Sequence, residues 1–340
     1  MKNITKLLLL TLTLLLSLTL IACSSKTTKA PGTTKAPETT KALEKKIKIG
    51  ILQVATHSAL DSAKEGFIKA LKDAGFDETK VEINFQNPEG DDAQALTMAE
   101  SIIRKSDLAL AIATPVATAL MNAAKNQGSN IPILFTAVTD PLDAKLVASI
   151  ENPGGNITGT SDMNPVAEQI QLIKQILPNA KKLGIIYKAS EINSEVQANM
   201  AKAEASKQGL TTEIKTCIDQ SDLTIVLQQL INTGVDCIFL PTDNLIASNM
   251  EAIRKITVED NKIPTICGEA GLVDNGGFVS LSIDYFELGY QTGQMAVEIL
   301  NGKAPKDIAV GSQGLDKCQF VFNEEVAKAL GITIPEDLIK

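Results

Sequence analysis

Short apolar runs alternate with longer amphipathic stretches along most of the chain, from residue 47 onward. The run Lys48 to Gln53 has the length of a strand, and apolar residues then recur at helical spacing from Ala59 until Gly75. Further strands are predicted at 81–85, 108–113, 133–135, 157–160, 183–187, 210–215, 235–240, 265–266 and 278–281, and residues 319–322 belong to a C-terminal tail. Strands that alternate with helices predict parallel sheets covered by helices on both faces.

Helix starts are marked by polar capping residues. Thr114, Asp140 and Asn164 each precede a proline, which is favoured at the first helical position. In the second half, helices are predicted at 191–208, 221–232 and 244–259, with a long helix from 284 to 301. Two complete sets of strands and helices exceed what one sheet comfortably holds, so we predict an α/β protein with two lobes.

The N-terminus has the pattern of an export signal. Lys2 and Lys6 precede an apolar run over residues 7–21, which ends at Ala22 and Cys23. This ending resembles a bacterial lipobox, in which the cysteine is lipidated and becomes the new N-terminus. Residues 1–22 are therefore predicted to be a signal peptide, and Cys23 a lipidation site that anchors the protein to the outer face of the cell membrane. A signal peptide with an unmodified cysteine is the alternative.

Residues 23–46 are rich in Thr, Lys, Ala and Pro, a composition that predicts a disordered tether.

The whole chain has a formal charge of −8, from 32 basic and 40 acidic residues. Residues 1–46 hold eight lysines and two acids, so residues 47–340 carry 24 basic and 38 acidic side chains, a charge of −14. A strongly acidic body excludes binding to nucleic acid through a basic surface.

Composition also argues against metal and nucleotide cofactors. The chain has one histidine, and its four cysteines beyond residue 200 show no C-x-x-C spacing. No phosphate-binding glycine loop is present, so no cofactor is predicted.

The number of cysteines beyond residue 200 permits disulfides, since it is even and the protein is predicted to be exported. These cysteines are Cys217, Cys237, Cys267 and Cys318. Free thiols are favoured, because Cys237 lies in an apolar strand and a large hydrophobic core does not need disulfide bonds for stability.

Several blocks of the sequence stand out, namely Thr56 to Asp61, Phe135 to Pro141, Pro153 to Gly159, Pro241 to Asn244, and Asp284-Tyr285 followed by Leu288-Gly289. Together they resemble one family, the ABC-transporter substrate-binding lipoproteins of the tryptophan/tyrosine-binding type. The resemblance covers residues 47–333 and implies the type I periplasmic-binding-protein fold, with two Rossmann-like lobes joined by three crossings. The implied domains are 47–162 plus 283–313 for the first lobe and 163–282 plus 314–340 for the second.

Ligands of open α/β sheets bind beyond the carboxyl ends of the strands, where helices begin. A zwitterionic amino acid needs a cradle for its carboxylate, and Thr114, Ser190, Asn193 and Ser194 stand at helix starts suited to it. Its ammonium needs an acid, for which we expect Asp243, Asp284 or Glu269. Helix capping alone is the competing explanation for each. The predicted ligand-binding residues are His57, Ser58, Thr114, Thr136, Thr139, Tyr187, Ser190, Asn193, Ser194, Asp243, Asn244, Glu269, Asp284 and Tyr285.

These observations predict a monomeric, lipid-anchored receptor that closes on a small ligand and delivers it to the permease of an ABC importer. The resemblance implies an aromatic amino acid such as tryptophan or tyrosine. A receptor of the same fold for a sugar or nucleoside is one alternative, although a chain with no Trp offers few stacking platforms. A surface-anchored hydrolase using His57, or the acids Asp243 and Asp284, is another. A structural or adhesive lipoprotein without a closing cleft is the third.

Overall fold

A computed structural model describes residues 45–339. The predicted signal peptide, the lipidation site Cys23 and nearly all of the tether lie outside the described residues. The strands are β1 (Ile47–Gln53), β2 (Val81–Gln86), β3 (Leu108–Ile112), β4 (Ile133–Val138), β5 (Ile157–Ser161), β6 (Lys182–Lys188), β7 (Thr211–Cys217), β8 (Cys237–Leu240), β9 (Thr265–Cys267), β10 (Val279–Ser282), β11 (Gly311–Ser312) and β12 (Gln319–Phe322).

The strands are interleaved with helices of very different lengths. These are α1 (Ser58–Asp73), α2 (Asp92–Lys105), α3 (Thr114–Gln127), α4 (Val166–Ile176), α5 (Ile192–Lys207), α6 (Gln220–Ile231), α7 (Asn244–Ala247), α8 (Met250–Arg254), α9 (Ala270–Asp274), α10 (Tyr285–Leu300), α11 (Glu324–Leu330) and α12 (Glu336–Ile339). A π-helical segment, Lys255–Asp260, continues α8.

Two six-stranded sheets divide the body into two lobes. The first sheet has the order β11-β5-β4-β3-β1-β2, and the second has the order β12-β10-β9-β8-β6-β7. Within both sheets the pairs are parallel, except that β12 runs antiparallel to β10. Each sheet is covered by helices and has its own hydrophobic core. The predicted α/β fold with two Rossmann-like lobes is confirmed.

The chain passes between the sheets three times. The passages run from β5 to α4, from β10 to α10 and from β11 to β12. Helix α10 therefore returns to the first lobe, where it packs along α1. The two helices approach closely, because an added Cβ at Gly289 would overlap the carbonyl oxygen of Ala63. Small residues at this contact fix the position of the second passage against the first lobe.

Two predicted helices differ from the structure. After Asp140 the chain makes only a turn, although the Asp140 side chain accepts hydrogen bonds from the N–H groups of Leu142 and Asp143. Lys145 then adopts φ 56°, which ends the turn before a helix forms. The helix predicted at 244–259 is broken between α7 and α8, where Ser248 and Asn249 donate from their side chains to backbone carbonyls one turn earlier.

The four cysteines beyond residue 200 are free thiols, and three of them are buried. Among residues 45–339 no group of His, Cys, Asp or Glu side chains is arranged to hold a metal ion. Within the same range, no helix has both the length and the apolar character needed to cross a membrane.

Candidate functional site

The carboxyl ends of strands from both sheets meet at one cavity between the lobes, which we call the central cavity. Its lining residues follow β1, β3, β4 and β5 in the first lobe and β8 and β9 in the second, with further residues from the starts of α5 and α10. They are His57, Ala59, Leu60, Ala113, Thr114, Ala137, Thr139, Asp162, Asn193, Thr242, Asp243, Asn244, Ala247, Glu269 and Tyr285. The volume is about 20 Å³, room for one water molecule. A larger ligand therefore requires the lobes to separate.

Eight of the fourteen predicted site residues line this cavity. They are His57, Thr114, Thr139, Asn193, Asp243, Asn244, Glu269 and Tyr285. They come from sequence positions nearly 230 residues apart, and the two sheets bring them together because each follows a strand or begins a helix at the facing edges. Ser58 lies beside them in a second cavity of about 280 Å³ at the hinge, lined also by Asp274, Asp284 and Gln319.

The remaining predicted residues lie away from the central cavity. Thr136 is buried inside the first lobe, where its hydroxyl accepts a hydrogen bond from Thr160, 3.0 Å away. Thr160 lies in turn 2.7 Å from the hydroxyl of Thr292, so these three hydroxyls are bonded to one another in the interior of the lobe. The Ser194 hydroxyl donates to Asp243 at 2.8 Å, which places it behind the cavity wall. Tyr187 packs partly buried against the core of the second lobe.

Ser190 and Asp284 are solvent-exposed. Ser190 belongs to the turn that leads into α5, one residue before the helix cap. Asp284 caps α10 by accepting a hydrogen bond from the N–H of Glu287 at 3.1 Å. Its role in the structure is therefore the plain helix cap, and its carboxylate does not reach the central cavity.

Asp162 is the most important lining residue that the sequence prediction missed. It directly follows β5, in the first passage between the lobes, and it is 3% exposed. The position after a strand was the available signal, but the sequence did not reveal that this passage bends into the cleft. Thr242, Leu60 and four alanines, Ala59, Ala113, Ala137 and Ala247, also line the cavity without being among the fourteen predicted residues.

Four buried polar atoms on lining residues have no hydrogen-bond partner within the described part of the chain. They are Nδ1 of His57, Oγ1 of Thr114, Oδ1 of Asp162 and Oδ1 of Asn193. Buried polar atoms are normally paired, because each unpaired one costs roughly 1–3 kcal/mol. Their convergence on one cavity indicates that a polar ligand completes them.

Backbone strain is concentrated at the same place. Ala113 and Ala137, at the ends of β3 and β4, have φ values of 93° and 54°. Ala113 combines this φ with ψ 155°, a region almost confined to glycine, and such strained positions cost a non-glycine residue roughly 1–3 kcal/mol. At Ala137 the pairing of β4 with β5 also shifts register. The strained turn at Ala113 leads straight into α3, so it sets where the start of that helix points.

The first lobe presents two long helices without side-chain caps. His57 precedes α1 and Ala113 precedes α3, and neither makes a capping hydrogen bond. The N–H groups in the first turns of these helices are thus available, and the helix dipole adds positive potential there. An uncapped helix start that faces a cavity favours an anionic group such as a carboxylate.

The second lobe presents acids instead. Asp243 is 1% exposed and accepts three hydrogen bonds, from the N–H groups of Ile246 and Lys188 and from the Ser194 hydroxyl. Its carboxylate is fully bonded within the lobe, which makes it a poorer partner for a ligand ammonium than the sequence suggested. Burial nevertheless raises its pKa.

Glu269 and Asp162 are better placed to meet a positive charge. Glu269 is 2% exposed, and burial raises its pKa to about 8. Burial also raises the pKa of Asp162, although a hydrogen bond from Tyr285 opposes the shift. Glu191, behind Asn244, has its pKa raised to about 8 by burial and by the charge of Asp243.

Four polar contacts join the lobes across the cleft. They link Nε2 of His57 to Oδ1 of Asn244 at 3.2 Å, the hydroxyls of Thr139 and Thr242 at 3.3 Å, Asn275 to Ser58 at 3.2 Å, and Lys188 to Asp92 at 3.7 Å. The Asn244 amide donates to Glu191 at 2.7 Å, so its oxygen faces His57. Nε2 of His57 is therefore the donor, and Nδ1 of the neutral ring is left as an acceptor.

The residues considered for catalysis are engaged separately. The His57 ring bonds to Asn244, while the Ser58 hydroxyl accepts from Asn275. Asp61 accepts from Gln53 at 2.9 Å. These contacts do not assemble a nucleophile with its base, an arrangement that nucleophilic catalysis requires.

Residues 48–340 match the family model described as ABC transporter substrate binding protein. The chain belongs to this family. A relative named tyrosine-binding protein, from Clostridioides difficile, is 42% identical over 289 residues, which are 84% of this chain and 81% of that protein. The family is one of solute-binding proteins, and the sequence prediction of this family is confirmed.

Two solved structures share the fold of this substrate-binding protein. An ABC domain from Streptococcus pneumonia in complex with L-Trp has a TM-score of 0.82 at 36% identity, over 87% of this chain and 98% of that one. A ligand-free, open substrate-binding protein with adhesive properties from Clostridium difficile has a TM-score of 0.64 at 41% identity, over 86% and 97%. The predicted type I periplasmic-binding-protein fold is confirmed.

Of these two structures, the one with the higher sequence identity to this chain has the lower TM-score. The open structure is closer in sequence but farther in shape, and such a difference arises when similar lobes are set at different angles. The lobes of this substrate-binding protein are therefore arranged more like those of the L-Trp complex than those of the open structure. The small central cavity and the four contacts across the cleft agree with a closed arrangement.

Proposed function

We propose that this protein is the receptor of an ABC importer for an aromatic amino acid such as tyrosine or tryptophan. One observation carries the proposal: the central cavity has uncapped helix starts on one side and buried acids on the other. A free amino acid carries a carboxylate and an ammonium, and it can match both sides at once. The names of the tyrosine-binding relative and of the L-Trp complex support the same ligand class.

The ligand carboxylate accepts hydrogen bonds from the first turns of α1 and α3, with the Thr114 hydroxyl beside them. The ammonium donates to Asp162 and Glu269. The ring packs against the small apolar lining residues. Alanine side chains are short, so they leave room for a flat group once the lobes have separated. Tyr285, the one phenol among the lining residues, forms part of the same wall.

In this proposal the receptor works by domain closure and no covalent bond is made or broken. The permease recognises the closed form and receives the ligand from it. The lipid on Cys23 holds the receptor at the outer face of the cell membrane, and residues 24–46 give it reach. A Cys23→Ser substitution abolishes incorporation of labelled palmitate and releases the protein from the membrane; retention of both would refute the anchor.

Tryptophan binding has a direct optical test, because the chain contains no tryptophan. Fluorescence excited at the red edge of the tryptophan absorption band then comes from added tryptophan alone, whereas tyrosine binding is followed by calorimetry. Residues 24–340 are unfolded, dialysed to remove any carried ligand, refolded and titrated with each of the twenty amino acids by calorimetry. We expect one-to-one binding of tyrosine or tryptophan. Failure to bind any amino acid would refute the assignment.

A further inference from the structure

Asp162 and Glu269 form an acidic wall at the hinge side of the central cavity. The two carboxylates come from different parts of the molecule, Asp162 from the first passage between the lobes and Glu269 from the start of α9 in the second lobe. Oδ2 of Asp162 accepts a hydrogen bond from the Tyr285 hydroxyl at 2.7 Å, and Oε2 of Glu269 accepts one from the N–H of Gly271 at 2.6 Å. Oδ1 of Asp162 is buried without a partner.

No lysine or arginine lines the central cavity within residues 45–339. The titratable neighbours of the acidic wall are Tyr285 and Asp274 on the hinge side. The titratable groups on the facing side are His57, Asp243 and, behind Asn244, Glu191. Burial lowers the pKa of His57, so its ring is neutral at physiological pH. Lys188 is turned to the rim, where it contacts Asp92.

Closing the cleft therefore buries carboxylates without a counter-charge. A buried ionised carboxylate without a partner is costly, and the group takes up a proton instead. Burial raises the pKa of Glu269 to about 8, so in the closed arrangement this side chain is protonated at neutral pH. A separated cleft exposes it to water, where its pKa is in the usual range and it is ionised.

We propose that Asp162 and Glu269 make closure of the cleft conditional on a positive charge, supplied by the ammonium group of the ligand or, in its absence, by protons. This inference rests on the proposed function and deepens it. It makes the ammonium, rather than the ring, the group that permits closure. A molecule of the right shape without an amine then leaves the cleft open at neutral pH, and the importer is not presented with it.

The proposal predicts a steeper pH dependence for one of two ligands of the same shape. Tyrosine brings an ammonium that takes the place of one proton, so its affinity changes less with pH. Its des-amino analogue, hydroxyphenylpropionate, lacks the charge, and its binding must be accompanied by proton uptake. The analogue complex takes up one proton more than the tyrosine complex, so the ratio of the two affinities changes about tenfold for each pH unit between the two pKa values of the acid.

The test measures both ligands by calorimetry between about pH 5.5 and pH 7.5, a window in which the analogue carboxylate stays ionised. Wild type is compared with Glu269→Gln and Asp162→Asn, which keep the shape of the wall and one acceptor oxygen in each side chain. Asp143→Asn is the matched control, since it makes the same chemical change at an exposed side chain that lines neither the central cavity nor the hinge cavity. Thermal melting checks that each variant is folded.

For wild type we expect the analogue to bind at least 100-fold more weakly than tyrosine at the upper end of this range and to gain affinity on acidification. In Glu269→Gln the analogue binds more tightly and tyrosine more weakly than in wild type, while the control matches wild type for both. Equal affinity for the two ligands, or parallel changes in the variant, would overturn the proposal. If wild type binds neither compound at any pH in the range, the proposed function itself is wrong.

Discussion

Replacing Tyr285 by Phe removes one hydroxyl from the hinge side of the cleft. The Tyr285 hydroxyl donates to Oδ2 of Asp162 at 2.7 Å and accepts from the amide of Asn164 at 3.3 Å. Asn164 in turn accepts from the N–H of Ile283 at 3.0 Å, so this group ties the first passage between the lobes to the second. Phenylalanine keeps the ring and its packing, and only these hydrogen bonds are lost.

The magnitude follows from the partner. A hydrogen bond to an ionised group contributes about 1.5–3 kcal/mol, and a buried acceptor left unpaired costs a similar amount. Burial raises the pKa of Asp162, and a ligand ammonium beside it favours the ionised form, to which the Tyr285 hydroxyl donates most strongly. The loss therefore falls on the ligand complex. A loss of roughly 2 kcal/mol corresponds to binding about 30-fold weaker.

The assay is titration with tyrosine or tryptophan, alongside thermal melting without ligand. Tyr290→Phe is the matched control, because it removes the same hydroxyl from a tyrosine less than two turns further along the same helix. There the hydroxyl donates to Asp73 at the surface, 3.1 Å away. We expect the control to bind within twofold of wild type. Tyr285→Phe is expected to lose affinity with a smaller change in the melting temperature of the ligand-free protein.

Two outcomes would refute this reasoning. If Tyr285→Phe binds as tightly as Tyr290→Phe, the hydroxyl does not support the ligand-bound form of Asp162. If affinity and ligand-free stability fall together by the same free energy, Tyr285 acts only in folding, and the link between the hinge and the ligand charge is wrong.

Two further predictions concern packing and protonation. Gly289→Ala is expected to destabilise the protein by roughly 3 kcal/mol in chemical denaturation, because the added methyl meets the backbone of α1. Gly184→Ala is the control and is expected to cost less, because its added methyl meets only side-chain carbon atoms near 3.1 Å. Equal effects of the two substitutions would contradict this account. His57 is the single histidine of the chain, so NMR of its imidazole resolves one signal. In the closed, ligand-bound protein we expect a neutral ring with the proton on Nε2 and a pKa below its usual range; a protonated ring at neutral pH would disprove the assigned contact with Asn244.

Site residues could be predicted where their role follows from their position after a strand or at a helix start. They could not be predicted where their role depends on how distant segments pack together. Thr114, Asn244 and Glu269 follow strands or begin helices, and the rule for parallel sheets places such residues at the cleft. The same rule also selects Thr136, whose hydroxyl is bonded to Thr160 inside the first lobe. It cannot tell a helix cap from a ligand contact, which is why it selects Asp284, an exposed cap of α10 outside the central cavity.

The sequence by itself determined the class of the protein. Alternating apolar runs and amphipathic stretches require parallel sheets with helices on both sides, and two full sets require two lobes. Export, a tether and the lipidation of Cys23 were predicted from residues 1–46, which lie almost wholly outside the described residues, and these remain predictions. Local patterns suffice for such features because each depends on neighbouring residues.

The tertiary structure alone decided which acids face the ligand. Asp162 and Glu269 are 107 positions apart in the sequence, and no local pattern relates them. They converge because the first passage between the lobes and the start of α9 lie on the same wall of the cavity. Burial there changes their chemistry from ordinary surface acids to groups that need a positive charge, since water no longer solvates them.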